Sequence, residues 1–327
     1  MKGILLGTGV IGVLILGGCM TRQEEQFSDT KMVMNTTTNI TNLPSIIGEN
    51  VSLGPIVLYV RDLKVMKEWY GAALNFPVLE ETTDRIVFGR QEVPFLILEH
   101  HDNYELWTPS DAGLYHIAYL HDTQQALANR LLNVAQMSPT SFQGSADHSV
   151  SEAFYFGDPE GNGVELYYDR DPSTRQWKDG QVTMGSAYID TNAYIQQYAQ
   201  TGTSLEDNVK IGHIHLQVGD LAQARTFYAD ILGFDVVADN SNQGALFVSA
   251  GGYHHNFGLN VWNSDGATTR PDNQYGLGEM TIILPTQDDI ENLKNRLTQA
   301  GVEFTDDSNG LKFSDPWNNK LVVKTNE

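Results

Sequence analysis

The sequence predicts an α+β protein of four βαβββ units, paired into two domains with cupped mixed sheets. Two observations predict it. A pattern of one strand, one helix and three strands recurs along the chain, and one long segment without this pattern separates the units into two pairs. A chain of 327 residues is long enough for two domains with separate cores.

The first 19 residues differ from the rest of the chain. Lys2 precedes an uncharged apolar run over residues 3–18, which is shorter than the ~20 residues of a membrane span but suits a signal-peptide core. Small residues then precede Cys19, and this arrangement resembles a bacterial lipobox with a lipidated cysteine. Residues 1–19 are therefore predicted as a signal peptide, and the protein as a membrane-anchored lipoprotein on the extracytoplasmic side.

Residues 20–52 are rich in Thr, Asn and Gln and lack periodicity, so we predict a flexible tether. Two alternatives for the leader stay open. The apolar run is an uncleaved anchor, or translation starts at Met32 or Met34, in which case the protein is cytoplasmic.

Charge and cysteine content exclude several classes of partner and site. Acidic residues outnumber basic ones by 41 to 20, and the net charge of −21 repels nucleic-acid phosphates and anionic lipids. We therefore expect no nucleic-acid partner and no membrane contact except through the lipid anchor. Because Cys19 is the single cysteine, any metal must be held by His, Asp or Glu.

Units one and three show the strand–helix–strands plan most clearly. In unit three, apolar alternation from Val209 predicts a strand, apolar residues at helical spacing predict a helix over 222–232, and Gly233 ends that helix. Its later strands are predicted at 234–238, 245–249 and 257–262. Unit one repeats the plan with a strand at 56–63, a helix at 65–74 and strands at 76–79, 85–89 and 95–99.

Units two and four run over 113–169 and 276–324 and align without a gap at their first strands. Each closes on an Asp-Pro turn, at Asp158 and at Asp315, followed by a strand. These shared turns indicate that the two units have the same fold.

The segment 171–208 breaks the pattern and contains a predicted short helix at 191–198. We interpret it as the connection between two halves. Because connections inside each half are short, we predict that unit one pairs with unit two and unit three with unit four. The first domain then covers 53–170 and the second 209–327.

Two facing units form a cavity lined by side chains of their strands. Unit two places His116 on its first strand and Glu165 on its last, with His148 and Tyr155 between them, and unit three places His213 on its first strand. Imidazole and carboxylate groups at such positions suit a metal site.

The run from His148 to Glu165 resembles the signature of the extradiol ring-cleavage dioxygenases, a His and a Tyr followed by Asp-Pro-x-Gly-Asn and a ligand Glu. His116 and His213 match ligand positions of the same superfamily. Over residues 51–327 the chain is similar to the vicinal oxygen chelate superfamily of glyoxalases, bleomycin resistance proteins and extradiol dioxygenases. Residues 248–260 resemble its two-domain Bacillus-type catechol 2,3-dioxygenase branch.

The resemblance implies two vicinal-oxygen-chelate domains and an extradiol dioxygenase that cleaves a small aromatic vicinal diol with O2. It implies Fe(II) as the metal, with Mn, Zn, Ni or no metal as alternatives, and His116, Glu165 and His213 as ligands. Two imidazoles and a carboxylate leave adjacent coordination positions open for diol and dioxygen. His148 suits the base that takes a proton from the diol, and Tyr155 suits a hydrogen bond to a ring oxygen.

The sequence also departs from the family pattern. Pro55 stands where unit three has His213, and Val322 stands where unit two has Glu165, so neither half alone completes a triad. Either His213 completes the first site across the halves, or His148 becomes a ligand. A second-half site is the remaining alternative, built from His213, His215, His254 or His255 with Glu279.

Other histidines have plainer interpretations. We interpret His215 as lining or packing against the cavity. His254 and His255 follow a Gly-Gly pair and are predicted in a solvent-exposed loop.

Two other functions stay open. A glyoxalase-like isomerase or metal-dependent thiol transferase uses the same kind of cavity with Zn(II) or Ni(II), although with more carboxylates. A small-molecule binding protein without metal would also be compatible with Pro55 and Val322. Homo-oligomerisation stays open as well.

Overall fold

The computed structural model describes residues 47–200, 202 and 208–325. The predicted leader, the alternative starts at Met32 and Met34 and most of the predicted tether lie outside these residues. The folded part begins earlier than predicted, since Ile47 is buried and its backbone N–H donates to the carbonyl of Gly233 at 3.2 Å. Within the described residues, no helix has the length and apolar character needed to cross a membrane.

The described residues contain the four predicted βαβββ units. Unit one consists of β1 (Ser52–Val60), α1 (Leu63–Glu68), β2 (Val78–Glu81), β3 (Arg85–Arg90) and β4 (Val93–His100). Unit two consists of β5 (Gly113–His121), α2 (Gln124–Met137), β6 (Phe142–Asp147), β7 (Ser151–Gly157) and β8 (Gly163–Asp169).

The connection contains two short strands and the predicted helix, namely β9 (Trp177–Lys178), β10 (Gln181–Val182) and α3 (Thr191–Tyr198). Unit three consists of β11 (Lys210–Gln217), α4 (Leu221–Arg225), β12 (Asp235–Asn240), β13 (Ala245–Ser249) and β14 (Phe257–Asn260). Unit four consists of β15 (Gly276–Leu284), α5 (Gln287–Gln299), β16 (Phe304–Asp307), β17 (Gly310–Ser314) and β18 (Lys320–Thr325).

The helix of each unit begins at a side-chain cap. Asp62, Thr123, Asp220 and Thr286 each accept a hydrogen bond from the backbone N–H three residues later, which satisfies a group that the helix itself leaves unpaired. The helices of units one and three were predicted as continuous. Instead, α1 and α4 continue as π-helical segments, Trp69–Ala73 and Thr226–Ile231.

The strands form two mixed eight-stranded sheets. One sheet joins units two and three in the order β12-β13-β14-β11-β5-β8-β7-β6, and the other joins units one and four in the order β16-β17-β18-β15-β1-β4-β3-β2. The predicted pairing of consecutive units is therefore wrong for the sheets. The first strand of each unit lies beside its own last strand on one edge, and it pairs its other edge with a first strand from the opposite half.

Consecutive units do meet through their helices. The guanidinium of Arg130 on α2 donates to the carbonyl of Leu74, and that of Arg296 on α5 donates to the carbonyls of Ile231 and Leu232, both at 3.0 Å. One main hydrophobic cluster contains buried residues from all four units. Sheet pairing and helix packing thus join the units in two different combinations, which ties the described residues of both halves into one body.

We expect Tyr70→Phe to lower the free energy of unfolding by about 1.5–3 kcal/mol, the range for a hydrogen bond to a charged group. The buried Tyr70 hydroxyl donates to Asp158 at 3.0 Å, so it links the helical segment of unit one to the Asp-Pro turn of unit two. Urea denaturation measures the change. Tyr188→Phe is the control, because Tyr188 is 80% exposed and should change stability by less than about 0.5 kcal/mol. Equal stability of the two variants would contradict this account.

Candidate metal centre

Three neighbouring strands place the predicted ligands on one face of a sheet. Ala118 on β5 lies between Glu165 on β8 and His213 on β11 in the strand register. His116 precedes Ala118 by two residues and so points to the same face. Ala118 is small and fully buried, which lets the three longer side chains converge above it.

The three side chains meet. The Nε2 atoms of His116 and His213 lie 2.9 and 3.2 Å from Oε2 of Glu165. One possible ligand atom from each residue lies within 4.8 Å of those of the other two, and all three residues are buried. The structure thus brings together His116 and Glu165 of the first half with His213 of the second, which is the arrangement across the halves that the sequence left open.

The protonation states suit a metal-binding group. Burial lowers the pKa of His213 to about 4, so the ring is neutral at pH 7 and keeps a lone pair for a ligand. Burial works against ionisation of Glu165, but the two imidazoles beside it hold the pKa of its carboxyl well below its usual range. Neutral imidazoles and an ionised carboxylate are the forms that bind metal cations.

The geometry of His116 supports this fit. Its Nε2 is buried and makes no hydrogen bond, although Oε2 of Glu165 is only 2.9 Å away. Buried polar atoms without a partner are rare. Two imidazole nitrogens and one carboxylate oxygen facing a common point form a donor set that fits Fe(II), with further coordination positions open.

A cavity of about 850 Å³ lies over these residues. All five predicted site residues line it, namely His116, His148, Tyr155, Glu165 and His213. His215 also lines it, as expected, and its Nε2 makes no hydrogen bond. A cavity of this size lies within the range of about 300–1,000 Å³ that is usual for small-molecule sites.

His148 and Tyr155 form a pair in the cavity wall. Nδ1 of His148 lies 2.7 Å from the carbonyl of Gly185, and its Nε2 lies 2.6 Å from the Tyr155 hydroxyl. We assign the proton to Nδ1, which donates to the carbonyl, so Nε2 accepts the hydrogen bond from Tyr155. His148 is therefore occupied by this pair and is not a member of the ligand group.

The prediction that His254 and His255 lie in a solvent-exposed loop is wrong. They are 0% and 7% exposed. The loop folds inward because His254 Nε2 lies 2.7 Å from Oδ1 of Asp169, at the end of β8, while its Nδ1 lies 2.8 Å from Nδ1 of His255. His255 lines the cavity, with its ring centroid 4.1 Å from that of His213.

We assign the proton between the two rings to Nδ1 of His255, so that His254 accepts at its own Nδ1 and donates from Nε2 to the Asp169 carboxylate. The lone pair of His255 then lies on Nε2. Sequence analysis named His255 as a possible ligand of a second-half site but missed its place in this cavity, because Asp169 and His254 lie 85 residues apart and no local pattern connects them.

The alternative second-half site with Glu279 is wrong. Glu279 lies on β15, in the sheet of units one and four, whereas His213 lies in the other sheet. In the sheet of units one and four, a small apolar cluster contains Val57, Val87 and Ile97. The only group of three potential ligands among the described residues is that of His116, Glu165 and His213.

The comparisons with known proteins agree on one family. The family model described as Glyoxalase/Bleomycin resistance protein/Dioxygenase superfamily matches residues 210–323. Catechol-2,3-dioxygenase of Bacillus subtilis (strain 168) is 36% identical over 274 residues, which are 83% of this chain and 95% of that protein. Biphenyl-2,3-diol 1,2-dioxygenase 2 of Rhodococcus globerulus is 28% identical over 116 residues, or 35% of this chain and 60% of that protein.

A solved structure shares the fold. The crystal structure of a putative dioxygenase from Bacillus subtilis subsp. subtilis str. 168 covers 86% of this chain and 86% of its own, with a TM-score of 0.57 and 12% sequence identity. The extensive similarity to the Bacillus catechol-2,3-dioxygenase agrees with the repeated βαβββ units and their mixed sheets. This chain therefore belongs to the glyoxalase, bleomycin resistance protein and dioxygenase superfamily.

Proposed function

We propose that this protein is an extradiol dioxygenase that uses Fe(II) and O2 to cleave the ring of a catechol-like vicinal diol. The observation that carries the proposal is the convergence of His116, Glu165 and His213 beside a cavity of about 850 Å³. The similarity to two proteins named as dioxygenases of aromatic diols supports the choice of reaction.

In this proposal, His116, Glu165 and His213 would hold Fe(II). The metal would supply open coordination positions for the diol and O2 beside each other. The protein supplies a fixed donor set, since the ligands lie on three adjacent hydrogen-bonded strands and are buried. Such rigid support keeps the ligands in place while substrates enter and leave.

Tyr155 and His148 provide one group for proton transfer. Burial and the nearby Glu165 raise the pKa of Tyr155 well above its usual value, so its hydroxyl stays protonated. Its hydrogen points to His148, which leaves the oxygen lone pairs free to accept a hydrogen bond from a diol hydroxyl. His148 can then take the Tyr155 proton while Tyr155 takes the diol proton. The predicted base thus reaches the diol through Tyr155.

His255 provides a second group for proton transfer. Burial lowers the pKa of His255 well below its usual value, so the ring is neutral. With Nδ1 held by His254, Nε2 is the nitrogen that can accept a proton from a group bound in the cavity. Because its ring lies against that of His213, His255 would lie beside the proposed metal.

The alternative as a glyoxalase-like isomerase or thiol transferase has less support. Among the described residues that line the cavity, Glu165 is the one carboxylate, whereas that chemistry was expected to need more carboxylates around the metal. The alternative as a metal-free binding protein leaves Nε2 of His116 buried without a hydrogen bond, a costly arrangement that a metal ligand role would explain.

Anaerobic loading of the full-length protein with Fe(II), followed by catechol and O2, tests the proposal. We expect one iron per chain, oxygen uptake in proportion to catechol consumed, and a product whose mass contains both atoms of O2. The Zn(II)-loaded protein is the control and should show no oxygen uptake, since zinc is redox-inactive. Absence of bound iron, or iron binding without oxygen uptake on any vicinal diol, would contradict the proposal.

A further inference from the structure

We propose that this site selects diols whose ring substituent carries no charge, and that it discriminates against diols with a carboxylate substituent. This inference rests on the proposed function, because it concerns the substrate of the same cavity. It follows from three features of the cavity: its size, the charge of its lining and the groups at its rim.

The cavity is larger than a single diol ring requires. A cavity of about 150 Å³ is enough to hold benzene in a protein interior, whereas this cavity has about 850 Å³. A ring bound beside His116, Glu165 and His213 therefore leaves most of the space for a substituent. The residues around that remaining space decide which substituents are accepted.

The lining offers a carboxylate substituent no cationic partner. Among the described residues of the wall there is no Lys or Arg, and Glu165 is the one acidic residue. The described wall thus contributes one carboxylate and no Lys or Arg side chain to offset a second negative charge.

Two arginines that follow β8 in the sequence form ion pairs with acidic residues of the protein. Arg170 follows β8 and lies 2.7 Å from Asp147 and 3.1 Å from Glu152. Arg175 lies 3.6 Å from Asp169. Recruiting either guanidinium to a substrate would break an existing pair, so neither is a ready partner for an anion.

A carboxylate in the cavity would thus lose hydration without gaining a Lys or Arg partner. Such desolvation is costly, and the formal net charge of −21 adds a general repulsion of anions. An uncharged substituent avoids both costs. We therefore expect the cavity to distinguish two substituents of equal shape when only one is charged.

The rim suits neutral and aromatic groups. Gln143, Ser186, Gln243 and Asn263 are exposed there and offer amide and hydroxyl hydrogen bonds. Trp262 is 49% exposed, and its indole N–H donates to the Gln243 carbonyl at 2.8 Å. Its ring also lies 5.3 Å from that of Tyr115. These contacts fix an indole at the cavity rim, where it can stack on an aromatic substituent.

Anaerobic calorimetry of the Fe(II)-loaded protein with 3,4-dihydroxyphenylacetate and with its amide tests the inference. The two diols match in shape and differ in charge. We expect the amide to bind at least about tenfold more tightly, a modest preference for an unpaired charge. Equal or tighter binding of the carboxylate, or binding of neither compound, overturns the inference. Because binding is measured without O2, this result is independent of whether catechol is cleaved.

A variant separates charge from shape. Ser186→Arg places a guanidinium on an exposed loop at the rim, and we expect it to tighten binding of the carboxylate about tenfold or more with no change for the amide. Ser186→Gln is the neutral control and should keep the wild-type preference. Equal effects of the two variants on the carboxylate would contradict the electrostatic explanation.

Discussion

Glu165→Gln is expected to remove iron from the protein and to lower ring-cleavage turnover by more than about 100-fold. Loss of a residue that only hydrogen-bonds to a metal ligand costs up to about 100-fold, and loss of a ligand should cost more. Glu165 is the one carboxylate among the three converging side chains, and it is 2% exposed. A glutamine of nearly the same shape carries no negative charge. The buried site would then hold a divalent cation with neutral groups alone.

The iron content and the thermal unfolding of the purified variant are both measured to test this expectation. Unfolding shows that the variant is folded, so that missing iron is not a consequence of misfolding. Glu279→Gln is the matched control. It lies at the position of unit four that corresponds to His116, but in the other sheet, and should leave iron content unchanged. A Glu165→Gln protein with one iron per chain and normal turnover would exclude Glu165 as a ligand.

His255→Gln is expected to lower kcat by about 10²–10⁴-fold, the usual contribution of a positioned acid or base, while the iron content stays at the wild-type level. A glutamine can retain a hydrogen bond to His254 but cannot take up a proton. Because His255 is not among the three converging ligands, the metal should remain bound. Loss of kcat with retained iron is therefore the signature of a role in proton transfer.

Steady-state oxygen uptake and iron analysis on the same preparation measure both quantities. His100→Gln is the control, since the His100 side chain is 33% exposed and lies in unit one, and full activity is expected. His148→Gln provides the comparison with the other proposed base. If the His255 variant were fully active and the His148 variant inactive, proton transfer would belong to the Tyr155–His148 pair alone.

Local patterns were sufficient for the units themselves. Helix α3 was predicted with the bounds that the structure has, where Asp190 caps it and accepts from the N–H of Ala193. Strand β13 was likewise predicted over 245–249. Alternation, helical spacing and capping residues are encoded within a few neighbouring positions, so a single sequence reveals them.

Contacts between distant parts of the chain were not predictable in the same way. When a unit is considered alone, its last strand pairs with one edge of its first strand and leaves the other edge unpaired. The residues of the first strand do not specify which other first strand will pair with that edge. The pairing of β5 with β11 was therefore missed, although it decides that His213 joins His116 and Glu165. The inward fold of His254 was missed for the same reason, since its partner Asp169 is remote in sequence.

The composition of the two sheets means that neither half of the polypeptide is self-sufficient. A protease cut within the connection would release one piece with His116 and Glu165 and another with His213. Each piece would expose the bare edges of two first strands, β1 and β5 or β11 and β15. Reassembly of the pieces would restore the pairing of β5 with β11 and would bring His213 back to His116 and Glu165 in the same step.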